Sequence, residues 1–245
     1  MARFVRCRRR HPGGQRVCRC GPGQRAMKLI LMYAPVSCAL VPYVALVEAG
    51  AVFEVQAVDH ARAEHFRDDF MALNPKAKLP VLLIDGSPLT ENVAIQLWIA
   101  RQFPQARLMP GGTDEIRAIE LLAWFASGIH PHLTPHNRPQ RYCDMPGSEE
   151  SVKRLAGARL FRDFEICEQR LEGRNWYFDE RTVVDIYFYW CFRRAMLFGL
   201  DLSRFSNSLR HFERMQGTRS IQQVLVFERQ VQHEFLSRPK ETPHV

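Results

Sequence analysis

Apolar residues repeat with two different periods along this chain, and the change of period divides it. Short aliphatic runs at 27–33 (MKLILMY), 52–57 and 81–84 (VLLI) predict strands, and Asp85-Gly86 supplies hairpin-turn chemistry ahead of a short fourth strand over 88–90. Helical spacing fills the gaps. Ser37 is expected to open a helix whose Leu40, Val41, Val44 and Ala45 share one stripe and which stops at Gly50, the residue type suited to a C-terminal cap. A second helix is expected over 62–73. A third is expected from Glu91, with Thr90 as its N-cap and Val93, Ala94, Leu97 and Trp98 on one face, stopping near Phe103 before Pro104.

The resulting order, strand-helix-strand-helix-strand-strand-helix, is the thioredoxin-like arrangement, with a right-handed first crossover. Residues 105–112 read as a linker, and beyond them the period is helical throughout. Helices are expected over 114–129, with Ile116, Ile119, Leu122 or Ala123, and Ala126 on one face, and over 149–171, with Val152, Leu155, Leu160, Phe164 and Cys167. Thr182-Val183-Val184-Asp185 is a capping box before the apolar run 186–192, and helices over 209–216 and 220–228 flank Gly217. The fold class is therefore an α/β thioredoxin-like N-terminal domain, 27–104, joined to an all-α C-terminal domain, 113–236. A polar tail is expected over 237–245. This topology brings the loop after the first strand, the Leu79-Pro80 step and the start of the third helix to one end of the sheet.

Charge changes the picture only after it is localised. Of 245 residues, 34 are basic and 26 acidic, a net charge of +8. Eight arginines and no acid fall in residues 1–26, so the remainder balances at 26 against 26. The basic character belongs to a Gly/Pro/Arg leader, which argues against nucleic-acid binding by the folded body. That leader is expected to be disordered, with the start codon assigned too early, because Met27 opens a strand at once. Its Cys7, Cys18, Cys20 and His11 lack zinc-ligand spacing. Seven cysteines without paired spacing, and no stretch of 18 apolar residues, point to a reduced, soluble, cytoplasmic protein with no membrane partner.

The loop after the first strand offers Tyr33, Ser37 and Cys38 as catalytic candidates. Cys38 falls in the first turn of a helix, where unpaired amides and the helix dipole favour a thiolate. Position 41 is valine, which argues against a CxxC disulfide exchanger and leaves Cys38 as a single thiol. Pro80, opening a strand, is a candidate cis proline. Glu91 beside free helix amides supplies a carboxylate for an ammonium and donors for a carboxylate, which is what the amino-acid end of a zwitterion requires. His130, His132 and His136 lie in a Pro-rich stretch with no carboxylate or thiolate at matching spacing, so no metal is expected there.

Asn74-Pro75-Lys76, Leu79-Pro80-Val81-Leu82 and Thr90-Glu91-Asn92-Val93-Ala94-Ile95 together resemble the glutathione-binding half of cytosolic glutathione S-transferases, most closely the bacterial beta class. The resemblance runs from Met27 to about Phe227. It implies glutathione as co-substrate, held by Leu79, Pro80, Glu91 and Asn92, with a cis bond before Pro80. The 120–130 segment resembles the beta-class helix that lines the site, which adds Ser127 and His130 as glutathione contacts. Cys38 matches the beta-class cysteine, and Tyr33 matches the catalytic tyrosine of other classes. Ser37-Cys38 also resembles the zeta-class pair, although Pro42 and Tyr43 stand where that class has arginines. Pro131 stands where the beta class has lysine and is expected to break or kink the helix at His130. Trp124, Phe125 and the 131–146 segment are candidates for the acceptor pocket. The resemblance implies a homodimer that adds glutathione to small electrophiles. Thiol-disulfide reduction or peroxidase chemistry through Cys38, and a non-catalytic protein of the same fold, remain as alternatives.

Overall fold

The computed structural model describes residues 27–239, so the leader 1–26 and the end of the expected tail lie outside the described residues. Four strands, β1 Leu29–Tyr33, β2 Phe53–Ala57, β3 Val81–Ile84 and β4 Ser87–Thr90, form one sheet in the order β2-β1-β3-β4. β1 pairs parallel with β2 and antiparallel with β3, and β3 pairs antiparallel with β4 through the Asp85-Gly86 turn. The parallel pair needs a crossover, which α1 Leu40–Glu48 supplies. Strand alternation gives each face its own core. Leu29, Leu31 and Tyr33 of β1 face the large core shared with the helical part, while Met32 meets Val58, Phe70, Val81 and Leu83 on the opposite face.

The expected second helix is broken. A short 3-10 turn, Glu64–Phe66, precedes α2 Asp68–Leu73 because Arg67 has an extended backbone between them. Two helix starts also move. α1 begins at Leu40, after a turn in which the Ser37 hydroxyl donates to the Ala34 carbonyl at 2.7 Å and accepts from the Ala39 amide at 3.3 Å. α3 runs Asn92–Gln102 with Glu91 at its N-cap; Thr90 belongs to β4, and its hydroxyl accepts from Lys76 Nζ at 2.8 Å. The Leu79-Pro80 peptide is cis, as expected.

The C-terminal part is helical. α4 Asp114–Trp124 does not end at Pro131: a wide π turn, Phe125–Ile129, carries it into α5 His130–Asn137. Pro131 occupies the first turn of α5, where a missing N–H costs little. α6 Glu149–Arg170, α7 Val183–Leu197, α8 Ser206–Gln216 and α9 Arg219–Ser237 follow. α7 is buried on all sides over 183–192 and runs through the core, with Tyr187, Phe188, Tyr189, Trp190 and Phe192 all buried. Its start carries the expected capping box. Asp185 Oδ2 accepts from the Thr182 amide at 2.8 Å, and the Thr182 hydroxyl accepts from Val184. The chain after Leu236 is less loose than expected: α9 reaches Ser237, and Arg238 pairs with Glu64 at 3.0 Å.

Candidate functional site

The expected convergence occurs, and the loop between β1 and α1 is its centre. Val36 holds a backbone φ of 63°, a left-handed value that a β-branched residue adopts only under constraint. Two helices of the C-terminal part provide that constraint. The Val36 amide donates to Glu228 of α9 at 2.7 Å, and its carbonyl accepts from Trp190 Nε1 at 3.2 Å and from the Arg194 guanidinium, both on α7. Glu228 also accepts from the Tyr33 hydroxyl at 3.0 Å and pairs with Arg193. One buried carboxylate thus ties strand, loop and helix together.

Cys38 follows this clamp and is 7 % exposed. Its thiol donates to the Leu79 carbonyl at 3.4 Å, and its own carbonyl accepts from Asn92 Nδ2 at 2.9 Å. Cys38, the cis-proline step and the start of α3 are therefore one hydrogen-bonded unit. The expectation of a thiolate is corrected. Burial pushes the thiol up to about 11, against the downward pull of the Arg194 cation, so desolvation outweighs the adjoining charge. Cys38 also precedes the first residue of α1 and does not lie within its first turn.

Glu91 is open to solvent, its carboxylate 66 % exposed and paired with Lys76. It too has a positive φ, 69°, which fixes it at the mouth of α3. Asn92 turns inward instead: besides holding the Cys38 carbonyl, it accepts from Gln96 at 3.1 Å. Its side chain is thus committed to the protein.

Three expectations change further. Tyr33 is wholly buried, its hydroxyl engaged by Glu228, its ring edge-on to Tyr43 and Phe227. Burial, reinforced by Glu228, raises its phenol well above 10, and its hydroxyl proton is engaged by the Glu228 carboxylate that anchors the loop. Ser127 lies on an exposed face, and its hydroxyl donates back to the Ala123 carbonyl at 2.9 Å. Phe125 packs in the core against Tyr177, Tyr187 and Phe188, while Trp124 lines a separate groove with Glu120, Leu121, Ile166 and Arg170.

His130 does reach the unit, through Trp190. Its ring lies 4.5 Å from the Trp190 ring, and its Nδ1 is 3.2 Å from the Tyr187 hydroxyl. Burial, with help from the Arg194 and Lys78 cations, lowers it to about 4, which leaves a neutral imidazole at physiological pH. Trp190, Arg193, Arg194 and Glu228 escape sequence reasoning; two adjacent arginines inside an otherwise apolar helix were their one local sign. Among the described residues no group of three or more His, Cys, Asp or Glu is arranged to hold a metal.

The sequence model of the glutathione S-transferase N-terminal domain matches residues 27–101. Glutathione S-transferase GstA of Escherichia coli O157:H7 is 31 % identical over 201 residues, 80 % of this chain and 96 % of that protein. Among solved structures, the beta-class glutathione S-transferase of Sphingomonas chungbukensis is 31 % identical with a TM-score of 0.72, covering 81 % of this chain and 98 % of its own. A sphingomonad glutathione S-transferase complexed with glutathione is 29 % identical, also with a TM-score of 0.72, over 81 % and 98 % of the two chains.

Proposed function

Because the chain belongs to the glutathione S-transferase family, we propose that it joins the sulfur of glutathione to small electrophilic acceptors at the sheet end built around Cys38. The observation that carries this reading is the single hydrogen-bonded unit of Cys38, Leu79 and Asn92, with the Glu91 carboxylate open beside it. In this reading Glu91 takes the ammonium of the γ-glutamyl end, and the free amides at the start of α3 take its carboxylate. The Leu79 backbone, fixed by the cis bond to Pro80, pairs with the cysteinyl unit.

The chemistry then follows from the protonation states. A Cys38 thiol that stays protonated is a donor and not a nucleophile. Turned from the Leu79 carbonyl, its S–H and the Ser37 hydroxyl stabilise the glutathione thiolate, which attacks the acceptor. Neutral His130 supports the Trp190 wall without adding charge. The same raised thiol counts against disulfide exchange through Cys38. A cytoplasmic homodimer acting in detoxification is the working form we propose, a reading supported by family membership alone; among the described residues, no helix is long and apolar enough to cross a membrane.

Calorimetric titration of the full chain with glutathione, beside turnover of chlorodinitrobenzene, tests the reading. Binding with turnover is expected, and Cys38→Ala should slow conjugation by about 10- to 100-fold, the worth of one hydrogen bond to a charged group, without abolishing it. Glutathione binding without turnover of any electrophile would move the chain to the non-catalytic class. Absence of binding would overturn the proposal.

A further inference from the structure

Tyr187 of α7 and His130 of α5 meet in a contact that decides where the imidazole keeps its proton. Tyr187 is buried, its ring set between those of Phe125, at 6.0 Å, and Trp190, at 5.9 Å. Its hydroxyl is 3.2 Å from His130 Nδ1, and among the described residues it has no other hydrogen-bond partner. Burial holds the phenol well above 10, so the hydroxyl keeps its proton. His130 opens α5 directly after the π turn Phe125–Ile129, and its ring is half-buried. Its Nε2, unlike Nδ1, bonds to no described residue and is not sealed in the protein. The imidazole rests 4.5 Å from the Trp190 ring, and Trp190 Nε1 donates to the carbonyl of Val36 at 3.2 Å, in the loop that carries Cys38. One side chain therefore separates His130 from that loop.

A neutral imidazole has one N–H and one lone pair, and the bond made by one nitrogen fixes the state of the other. Two arrangements suit the contact with Tyr187. If Nδ1–H donated to the phenol oxygen, the Tyr187 proton would be left buried without an acceptor, the costlier state. If the phenol donates to the Nδ1 lone pair, both groups are satisfied and the ring proton sits on Nε2. We propose that Tyr187 is a positioning residue for the transferase reaction: its hydroxyl donates to Nδ1 and holds His130 in the Nε2–H tautomer, so that the open edge of the ring meets bound glutathione as a hydrogen-bond donor and not as a base. The glutathione thiol gives its proton to solvent, the thiolate accepts from Nε2–H, and the imidazole proton stays where it is. This inference rests on the transferase reading and assigns the protons within it.

Long-range proton–nitrogen NMR of the nitrogen-labelled full chain reads the tautomer directly, with the His130 signals identified by their loss in His130→Gln. Near neutral pH and without glutathione, the wild-type ring should carry its proton on Nε2. Tyr187→Phe removes only the hydroxyl, so Nδ1 loses its donor and the signals should move toward a mixture of tautomers. The ultraviolet absorbance of the bound glutathione thiolate gives a second readout. At neutral pH the thiolate fraction should fall by about 2- to 10-fold in Tyr187→Phe, the worth of one ordinary hydrogen bond, and kcat/KM with chlorodinitrobenzene should fall in step.

A wild-type ring protonated on Nδ1, with glutathione binding intact, would overturn this inference alone, and that measurement needs no variant to fold. A tautomer or a thiolate fraction unchanged in Tyr187→Phe would overturn it too, since the bond would then serve only the packing of α5 against α7. If glutathione does not bind at all, the transferase reading fails and takes the donor role of His130 with it.

Discussion

Glu228 is the residue whose removal separates holding the fold together from shaping the site. Its side chain is 3 % exposed, and it pairs with Arg193, accepts the Tyr33 hydroxyl and accepts the Val36 amide. Glu228→Ala leaves a mostly buried guanidinium uncompensated, which costs about 3–5 kcal/mol. At about 2–4 °C per kcal/mol for a chain of this size, the melting temperature should fall by about 6–20 °C. The second effect is local. Val36 at φ 63° stores about 1–3 kcal/mol of backbone strain, and such strain persists only where neighbours enforce it. With one enforcing contact gone, the loop relaxes and carries Cys38 with it, so glutathione affinity should drop by about 5- to 100-fold. Differential scanning calorimetry reads the first effect and isothermal titration the second. Val36→Gly in the Glu228→Ala background separates them, because glycine accepts the left-handed backbone: affinity should recover while the melting temperature stays low. A melting temperature lowered by less than about 2 °C would refute the buried-pair reading. An unchanged affinity would show that Trp190 and Arg194 hold the loop unaided.

Three further outcomes follow from the same geometry. A Cys38 thiol near 11 is about 100-fold less ionised at neutral pH than one at its ordinary 9, so iodoacetamide mapped by mass spectrometry should label half-exposed Cys143 first and reach Cys38 only as pH climbs toward 11; rapid Cys38 labelling at pH 7 would contradict the burial argument. His130 is lowered to about 4 in the fold from an ordinary 6.5, so its contribution is whole above pH 6.5 and lost as pH falls through 4; it amounts to at most about 3 kcal/mol, and His130→Gln should flatten the drop in urea midpoint over that window. Asp185→Ala orphans the buried amides of Tyr177 and Thr182 and the ring of His211, so urea titration should show a loss of about 2–6 kcal/mol; a loss under about 1 kcal/mol would mean that water reaches those donors.

How much of this site was legible in the sequence depended on the distance, along the chain, between cause and effect. The Thr182-Asp185 box and the glycine after α1 are set by residues within a few positions of one another, and both were readable. The cis Leu79-Pro80 step was readable from local strand chemistry and from the family resemblance together. Thr90 shows how a local rule loses: it has the chemistry of an N-cap, but pairing with Val81 in the sheet and a hydrogen bond from Lys76 take it first, and Glu91 is left to begin the helix. Pro131 shows a rule satisfied by other means, since the π turn ahead of it places the proline in a first helical turn, where its missing N–H does no harm.

Protonation states depend on desolvation, and desolvation depends on what packs against a group from anywhere in the chain. Cys38 illustrates this most sharply. Its sequence position argues for a thiolate, yet Leu79, Asn92 and the core that α7 fills bury the sulfur, and that desolvation outweighs what a helix end supplies. Tyr33 follows the same logic: the strand fixes where its ring points, but a carboxylate 195 residues later decides that its hydroxyl belongs to the fold and not to the substrate. It follows that resemblance in the thioredoxin-like half locates the site, while the residues that set its charge and loop geometry come from α7 and α9. Relatives sharing the Leu79-Pro80 and Glu91 corner but lacking the carboxylate at position 228 should therefore hold the loop, and Cys38 with it, less firmly and bind the tripeptide more weakly.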